Sequence, residues 1–171
     1  MTSTVSARDV FVDGLRNAHA MEKQALSIME PQLKRLEHYP EVSALLNRHI
    51  RETEGQIDRL DEILATVAES SSTLKDLSLS FTGTMAAVTH SMASDEILKN
   101  SMANFAFEHF EIAAYTALIA AAEEAGAASA IPLLDQNLQE ERQMAAQIED
   151  GLPGVVRRYI ALSGTEQRAD I

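Results

Sequence analysis

The chain has no cysteine, and only 5% of its 171 residues are aromatic. Without cysteine, disulfides, thiolate zinc sites and a cysteine nucleophile are all excluded, so any metal must be held by oxygen and imidazole. Scarce aromatics, together with 7 glycines and 4 prolines, argue against a sheet protein and for long helices of Ala, Leu, Glu and Met. Positive charge is also in deficit: the formal net charge is −12. Phosphate binding needs a basic surface, so a nucleic-acid partner is not expected. No unbroken apolar run is long enough to cross a bilayer; the nearest, Ala103 to Ala122, is interrupted by Glu108, His109 and Glu111. The start, MTSTVSARDVFVDGL, lacks a basic stretch followed by an apolar one. A cytoplasmic protein without a membrane partner is expected. There is no phosphate-binding G-x-x-x-x-G-K-[ST] loop, no G-x-S-x-G elbow and no Rossmann glycine fingerprint.

What is present is helical spacing over most of the chain. A first helix is predicted from Ala7 to Leu36, capped by Ser6 with Asp9 three residues on, and bent at Pro31. After a short break at Glu37 to Pro40, a second runs from Glu41 to Glu69 and stops in three serines. So short a link makes an antiparallel hairpin. Thr73 to His90 reads as a shorter crossover helix, with Leu74, Leu77, Phe81, Met85 and Val88 at helical spacing. A third long helix is predicted from Asp95 to Ala125, capped by Ser94 and stopped by Gly126. A fourth follows from Ile131 to Asp150, stopped by Gly151, with another turn or two at Val155 to Leu162. Two hairpins joined by a crossover segment give an all-α, ferritin-like four-helix bundle over residues 1–162, with a loose polar tail at 163–171.

The acids are the informative residues. At about 100° per residue the first helix has an apolar stripe of Phe11, Leu15, Ala18, Leu26, Met29 and Leu33, and Glu22 lies in its middle. Glu141 is likewise central to Leu134, Leu138, Ala145 and Ile148. Glu108, Glu111 and Tyr115 share one face of the third helix; on the second, His49, Thr53, Gln56 and Leu60 point inward with Glu52 at the border. Each helix thus brings at least one Glu to the same interior, where isolated carboxylates are costly and neighbouring ones repel. A pair of divalent cations resolves the conflict, and oxygen-rich ligation with a little imidazole suits iron or manganese. Spacing adds a second signal: 89 residues separate Glu22 from Glu111 and also Glu52 from Glu141, the register of a pseudo-symmetric two-metal site. Glu30, Glu37, Glu54, Glu123 and Glu140 read as solvated surface, Gln56 as a donor behind the ligands, and His109 as pointing away. His49 has an alternative as a core histidine donating to Glu52, and Tyr115 one as plain core.

At these residues the chain resembles the YciE/YciF family of bacterial ferritin-like proteins. The likeness is carried by Ala20 to Gln24, by H-x-x-E-T-x-x-Q-x-x-R-L from His49 to Leu60, by E-H-x-E-I-A-x-Y from Glu108 to Tyr115, and by Leu138 to Glu141. It spans roughly Phe11 to Ile148. The resemblance implies a carboxylate metal centre, dimerisation and a link to stress responses. The chain departs from the common ferritin-like pattern, which places Glu-x-x-His on two helices: position 55 is Gly and position 144 is Met, so one metal position is expected to be weak or vacant. The family's acid one turn after the last Glu is here Ala145.

The leading expectation is an oxidoreductase in which Glu22 and Glu108 are terminal ligands, Glu52 with Glu111 or Glu141 bridges, and His49 completes one ion. Two ferrous ions so held would react with dioxygen or peroxide, with Tyr115 bonding a ligand or passing an electron. The rivals are a dimanganese centre consuming peroxide, and a metal-free bundle that binds a partner protein. Arg16, Arg48, Arg51 and Arg59 lie close enough in sequence to pair with the acids, but none shares the centre of a stripe. The all-round apolar third helix and the crossover point to a homodimer.

Overall fold

The computed structural model describes residues 5–69, 95–165 and 169–170, and four helices account for most of them. These are α1 (Ala7–Leu33), α2 (Pro40–Glu69), α3 (Glu96–Glu124) and α4 (Ile131–Ser163). The helix expected over 73–90 and the Ser94 cap lie outside the described residues.

Local chemistry sets most of the ends. Ser6 accepts from the Asp9 amide at 3.2 Å while Asp9 accepts from the Ser6 amide at 3.0 Å, a reciprocal cap that satisfies two backbone donors. Pro40 opens α2, where its missing N–H costs nothing. Past α3, Gly126 takes φ 69°, the left-handed conformation that ends a helix without a Cβ penalty. Two ends differ from expectation. The first helix closes at Leu33 rather than Leu36, within a turn of Pro31. The fourth does not stop at Gly151 but runs through Pro153 to Ser163 in one piece. Packing overrides the local stop signal there: Val155 is buried with Tyr39 and Ile97 in a small second core at that end of the bundle. In the polar tail, the Asp170 carbonyl accepts from the Ile97 amide at 3.1 Å, and the Tyr39 hydroxyl donates to the Ala169 carbonyl.

Four pairs of helices touch: α1 with α2 and α3, and α4 with α2 and α3. The helices therefore stand at the corners of a square, with α2 and α3 on a diagonal. Arg8 bonds the Val67 carbonyl, so α1 and α2 are antiparallel. Gln32 meets Asn104 and Arg35 meets Glu96, so α1 and α3 are antiparallel as well. It follows that α2 and α3 run the same way, so the last residue of α2 and the first of α3 lie at opposite ends of the bundle. A parallel diagonal pair α2 and α3 is the ferritin-like arrangement, distinct from simple up-down-up-down order.

The main core gathers Phe11, Leu15, Met21, Met29, Leu60, Leu134 and Ile148 with neighbours from all four helices. Among the described helices α3 is, by length and composition, apolar enough to cross a membrane, contrary to the sequence expectation. Its polar residues Glu108, Glu111 and Tyr115 are however buried within the bundle.

Candidate metal centre

The middle of this greasy interior holds acids. Glu22 from α1, Glu111 from α3 and Glu141 from α4 have at most 1% of their surface exposed, and Glu108 has 3%. Glu108 and Glu111 sit one turn apart and Tyr115 one turn further, so a single face of α3 carries all three. From α2 comes His49, also buried. Its backbone carbonyl accepts from the Thr53 hydroxyl at 3.0 Å. One donor atom each from His49, Glu108, Glu111 and Glu141 can be chosen so that all four lie within 4.8 Å of one another.

His49 is the hub. Its Nδ1 lies 3.1 Å from Glu52 Oε2, and its Nε2 is 3.3 Å from Glu108 and 3.4 Å from Glu141. Glu52 stands apart from the four: its side chain is 31% exposed and also reaches Arg48 at 3.5 Å. The two residues at the 89-residue offset from Glu22 and Glu52, Glu111 and Glu141, are thus both buried, but Glu52 itself backs His49 from the rim. Of the other histidines, His19 pairs with Asp61 and His109 turns back to the Phe105 carbonyl, while His90 lies outside the described residues.

Electrostatics set these groups against one another. Burial raises the Glu22 pKa, partly opposed by the Tyr115 hydrogen bond and by His49, to about 7. Glu111 is pushed well above the usual carboxylate range, first by burial and then by the charges of Glu22, Glu141 and Glu108. Glu141 is raised by burial and by Glu22, against the pull of His49. Burial by itself would lower His49, but contact with Glu108 and Glu52 outweighs it and lifts the imidazole to about 11. Glu52, at the rim, is lowered by its bond to His49. Burial raises Tyr115, and the Glu22 charge adds to it.

Hydrogen bonding leaves the conflict unresolved. His49 Nε2 meets Glu108 Oε2 and Glu141 Oε2 as ion contacts outside hydrogen-bond geometry, and buried Glu22 Oε2, both oxygens of Glu111 and Glu141 Oε1 have no partner of that geometry either. Buried polar groups are almost always satisfied, and each exception needs an explanation. A single imidazolium cannot balance four inward carboxylates. Oxygen donors around one imidazole, converging and unsatisfied, are the donor set that divalent iron or manganese takes up. The residues present fit such a group.

In a metal-free chain these shifts have a definite sign. A carboxyl whose pKa rises from 4.5 to about 7 on folding holds its proton more tightly in the native state. Its contribution to stability is complete below 4.5 and falls as pH rises through 7. His49, raised from 6.5 to about 11, acts in the same direction between those values. Glu52, being lowered, counts the opposite way only in acid below 4.5. The chelator-treated protein is therefore expected to melt higher at pH 5 than at pH 8, the reverse of an ordinary acid-labile protein. Calorimetry across that range checks it, and a melting point that climbs with pH would contradict it.

Comparison with known proteins agrees with the fold. Residues 6–161 match the family model described as a domain of unknown function, DUF892. The chain belongs to the DUF892 family. Protein YciF of Escherichia coli K12 is 29% identical over 150 residues, which covers 83% of this chain and 87% of YciF. The crystal structure of that E. coli stress protein superposes with a TM-score of 0.72 at 27% identity, covering 91% of this chain and 99% of YciF. A crystal structure from Xanthomonas campestris pv. campestris gives a TM-score of 0.78 at 28% identity, with 94% and 100% covered. The resemblance read from His49 to Leu60 and Glu108 to Tyr115 thus extends over nearly the whole chain, and this DUF892 member has the helical-bundle fold of YciF.

Two polar residues near the centre have contacts that the sequence reading did not assign them. Asn137 is completely buried and bonds Tyr115, and Arg59 bonds Asn137. Asn137 left a signal: it is a polar residue on the stripe of Leu134, Leu138 and Glu141, one turn before Glu141. Gln56, expected behind the ligands, donates instead to Glu140 at 3.1 Å, and Glu140 is held by Arg59 rather than left to solvent.

Proposed function

We propose that the chain is a carboxylate-ligated dinuclear metal protein that oxidises ferrous iron or reacts with dioxygen or peroxide. The observation that carries this reading is the set of unsatisfied, fully buried donors on Glu22, His49, Glu108, Glu111 and Glu141, drawn from all four helices. His49, Glu108, Glu111 and Glu141 form the ligand group, with Glu22 beside Glu111. Glu52 takes a different role from the bridging one its spacing suggests. It holds His49 Nδ1 and so fixes the tautomer and plane of the ring, a common duty of a carboxylate behind a metal-bound imidazole. When bound, the metal pair supplies the electrons that dioxygen or peroxide accepts. The chain's own residues supply buried, converging donors, an excess of negative charge that matches the cations, and a tyrosine hydroxyl 2.5 Å from Glu22.

YciF of E. coli is described as a stress protein, and a role in oxidative stress is consistent with this chemistry. A homodimer is the proposed assembly. Val10, Met102 and Phe110 are exposed large apolar residues on α1 and α3, and covering them would suit a second copy.

To test the reading, ferrous iron is added without oxygen and air is then admitted. Iron oxidation should outpace that of free iron, with new near-ultraviolet absorption. Glu141→Ala, which deletes a ligand, should abolish both. Oxidation no faster than in buffer, or a variant indistinguishable from the parent chain, would refute the proposal. Elemental analysis of the native protein separates iron from manganese.

A further inference from the structure

Behind Glu22 a chain of hydrogen bonds crosses from α1 to α3, α4 and α2, and its direction is forced by what each group can do. Arg59 Nε on α2 donates to Asn137 Oδ1 on α4. A guanidinium has donors only, so the Asn137 atom that faces it must be the carbonyl oxygen. The amide nitrogen is then turned the other way, donating to Tyr115 Oη at 2.9 Å and lying 3.5 Å from the Gln56 carbonyl. Because Tyr115 accepts from Asn137, its one proton is directed at Glu22 Oε1, 2.5 Å away. Arg59 is itself anchored by Glu140, which also receives Gln56. Glu22, Tyr115 and Asn137 have no exposed surface, so water does not compete for these bonds.

We propose that Asn137 and Arg59 are positioning residues for the metal centre: through Tyr115 they hold Glu22 by one oxygen and leave the other free to bind metal. The free oxygen is Oε2, buried and without a partner. Without a fixed donor on Oε1, the Glu22 side chain would be free to turn its carboxyl plane, and a ligand would have to be ordered anew at each binding event. This inference rests on the metal-site reading above, but its hydrogen-bond part can be tested without metal.

The test is Asn137→Asp, a change of one atom type that keeps shape and keeps an acceptor for Arg59. Aspartate cannot donate to Tyr115, so the tyrosine hydroxyl turns to it and Glu22 loses its donor. In metal-free protein, the carboxyl carbon resonance of Glu22 should move, and in the same direction as in Tyr115→Phe. Manganese affinity should fall about tenfold, the usual size of an effect from behind the ligands. In the Tyr115→Phe background the same substitution should have no further effect on affinity, which a merely structural role would not predict. Arg59→Lys, which keeps a charge for Glu140 but lacks the Nε donor, should show both changes at smaller size and guards against a variant that does not fold. An Asn137→Asp chain with the parent's Glu22 resonance and the parent's manganese affinity overturns the inference. If the resonance moves as stated but the parent chain takes up no manganese, the relay stands and the metal-site reading falls.

Discussion

Glu111→Leu is expected to bind iron and manganese at least a hundredfold more weakly and yet, stripped of metal, to melt higher than the parent chain. Glu111 is 1% exposed, and the hydrogen-bonding group its carboxyl faces is another buried carboxyl, Glu22, so it adds little to the metal-free fold beyond its volume. The charges of Glu22, Glu141 and Glu108 all oppose its ionisation. Leucine fills a similar space without desolvating a carboxyl. Replacing buried ionic groups by apolar ones of like size is commonly neutral or stabilising by about 1–4 kcal/mol. In a chain of this length each kcal/mol is worth about 2–4 °C, so a rise of several degrees is expected. On the proposed reading a ligand is removed outright, a larger insult than the tenfold to hundredfold typical of residues behind the ligands. Opposite signs for stability and binding mark a group kept for function. A Glu111→Leu protein that melts well below the parent would show that the carboxyl is paired after all.

Metal itself should produce the second large effect. At a free manganese or ferrous concentration about a hundred times the dissociation constant, one bound site stabilises the native state by about 2.7 kcal/mol. That corresponds to a rise of roughly 5–10 °C in melting temperature, more if both positions fill. Chelator should reverse it. The pH dependence should also invert: metal binding requires deprotonated ligands, so the loaded protein is favoured at pH 8 and the stripped one at pH 5. A melting temperature indifferent to both metal and chelator is what a purely structural bundle predicts.

Much of this was legible in the chain because helical spacing is regular. Glu22 and Glu141 stood in the middle of apolar stripes, and burial of both follows directly from the 3.6-residue period. Glu108, Glu111 and Tyr115 were readable as one face for the same reason. Border positions were harder: Glu52 lies one turn from His49, where a rotation of a few tens of degrees decides between core and rim, and the rim is where it lies. Which side chains bond to which between helices was not legible. Nothing in the local pattern says that Arg59 reaches α4 to meet Asn137 and Glu140, since that pairing depends on how two helices are set side by side. The end of α4 failed for a related reason. Gly151, Pro153 and Gly154 are sound local stop signals, but burial of Val155 against Tyr39 and Ile97 prevails over them.

The most direct measurement is diffraction from crystals grown with manganese, collected so that the metal's anomalous scattering locates it. The account predicts anomalous peaks in the middle of the bundle within bonding distance of His49, Glu108, Glu111 and Glu141, with Glu22 turned toward them. Crystals at high manganese with no such peak, and with those carboxyls sharing protons among themselves, would contradict it.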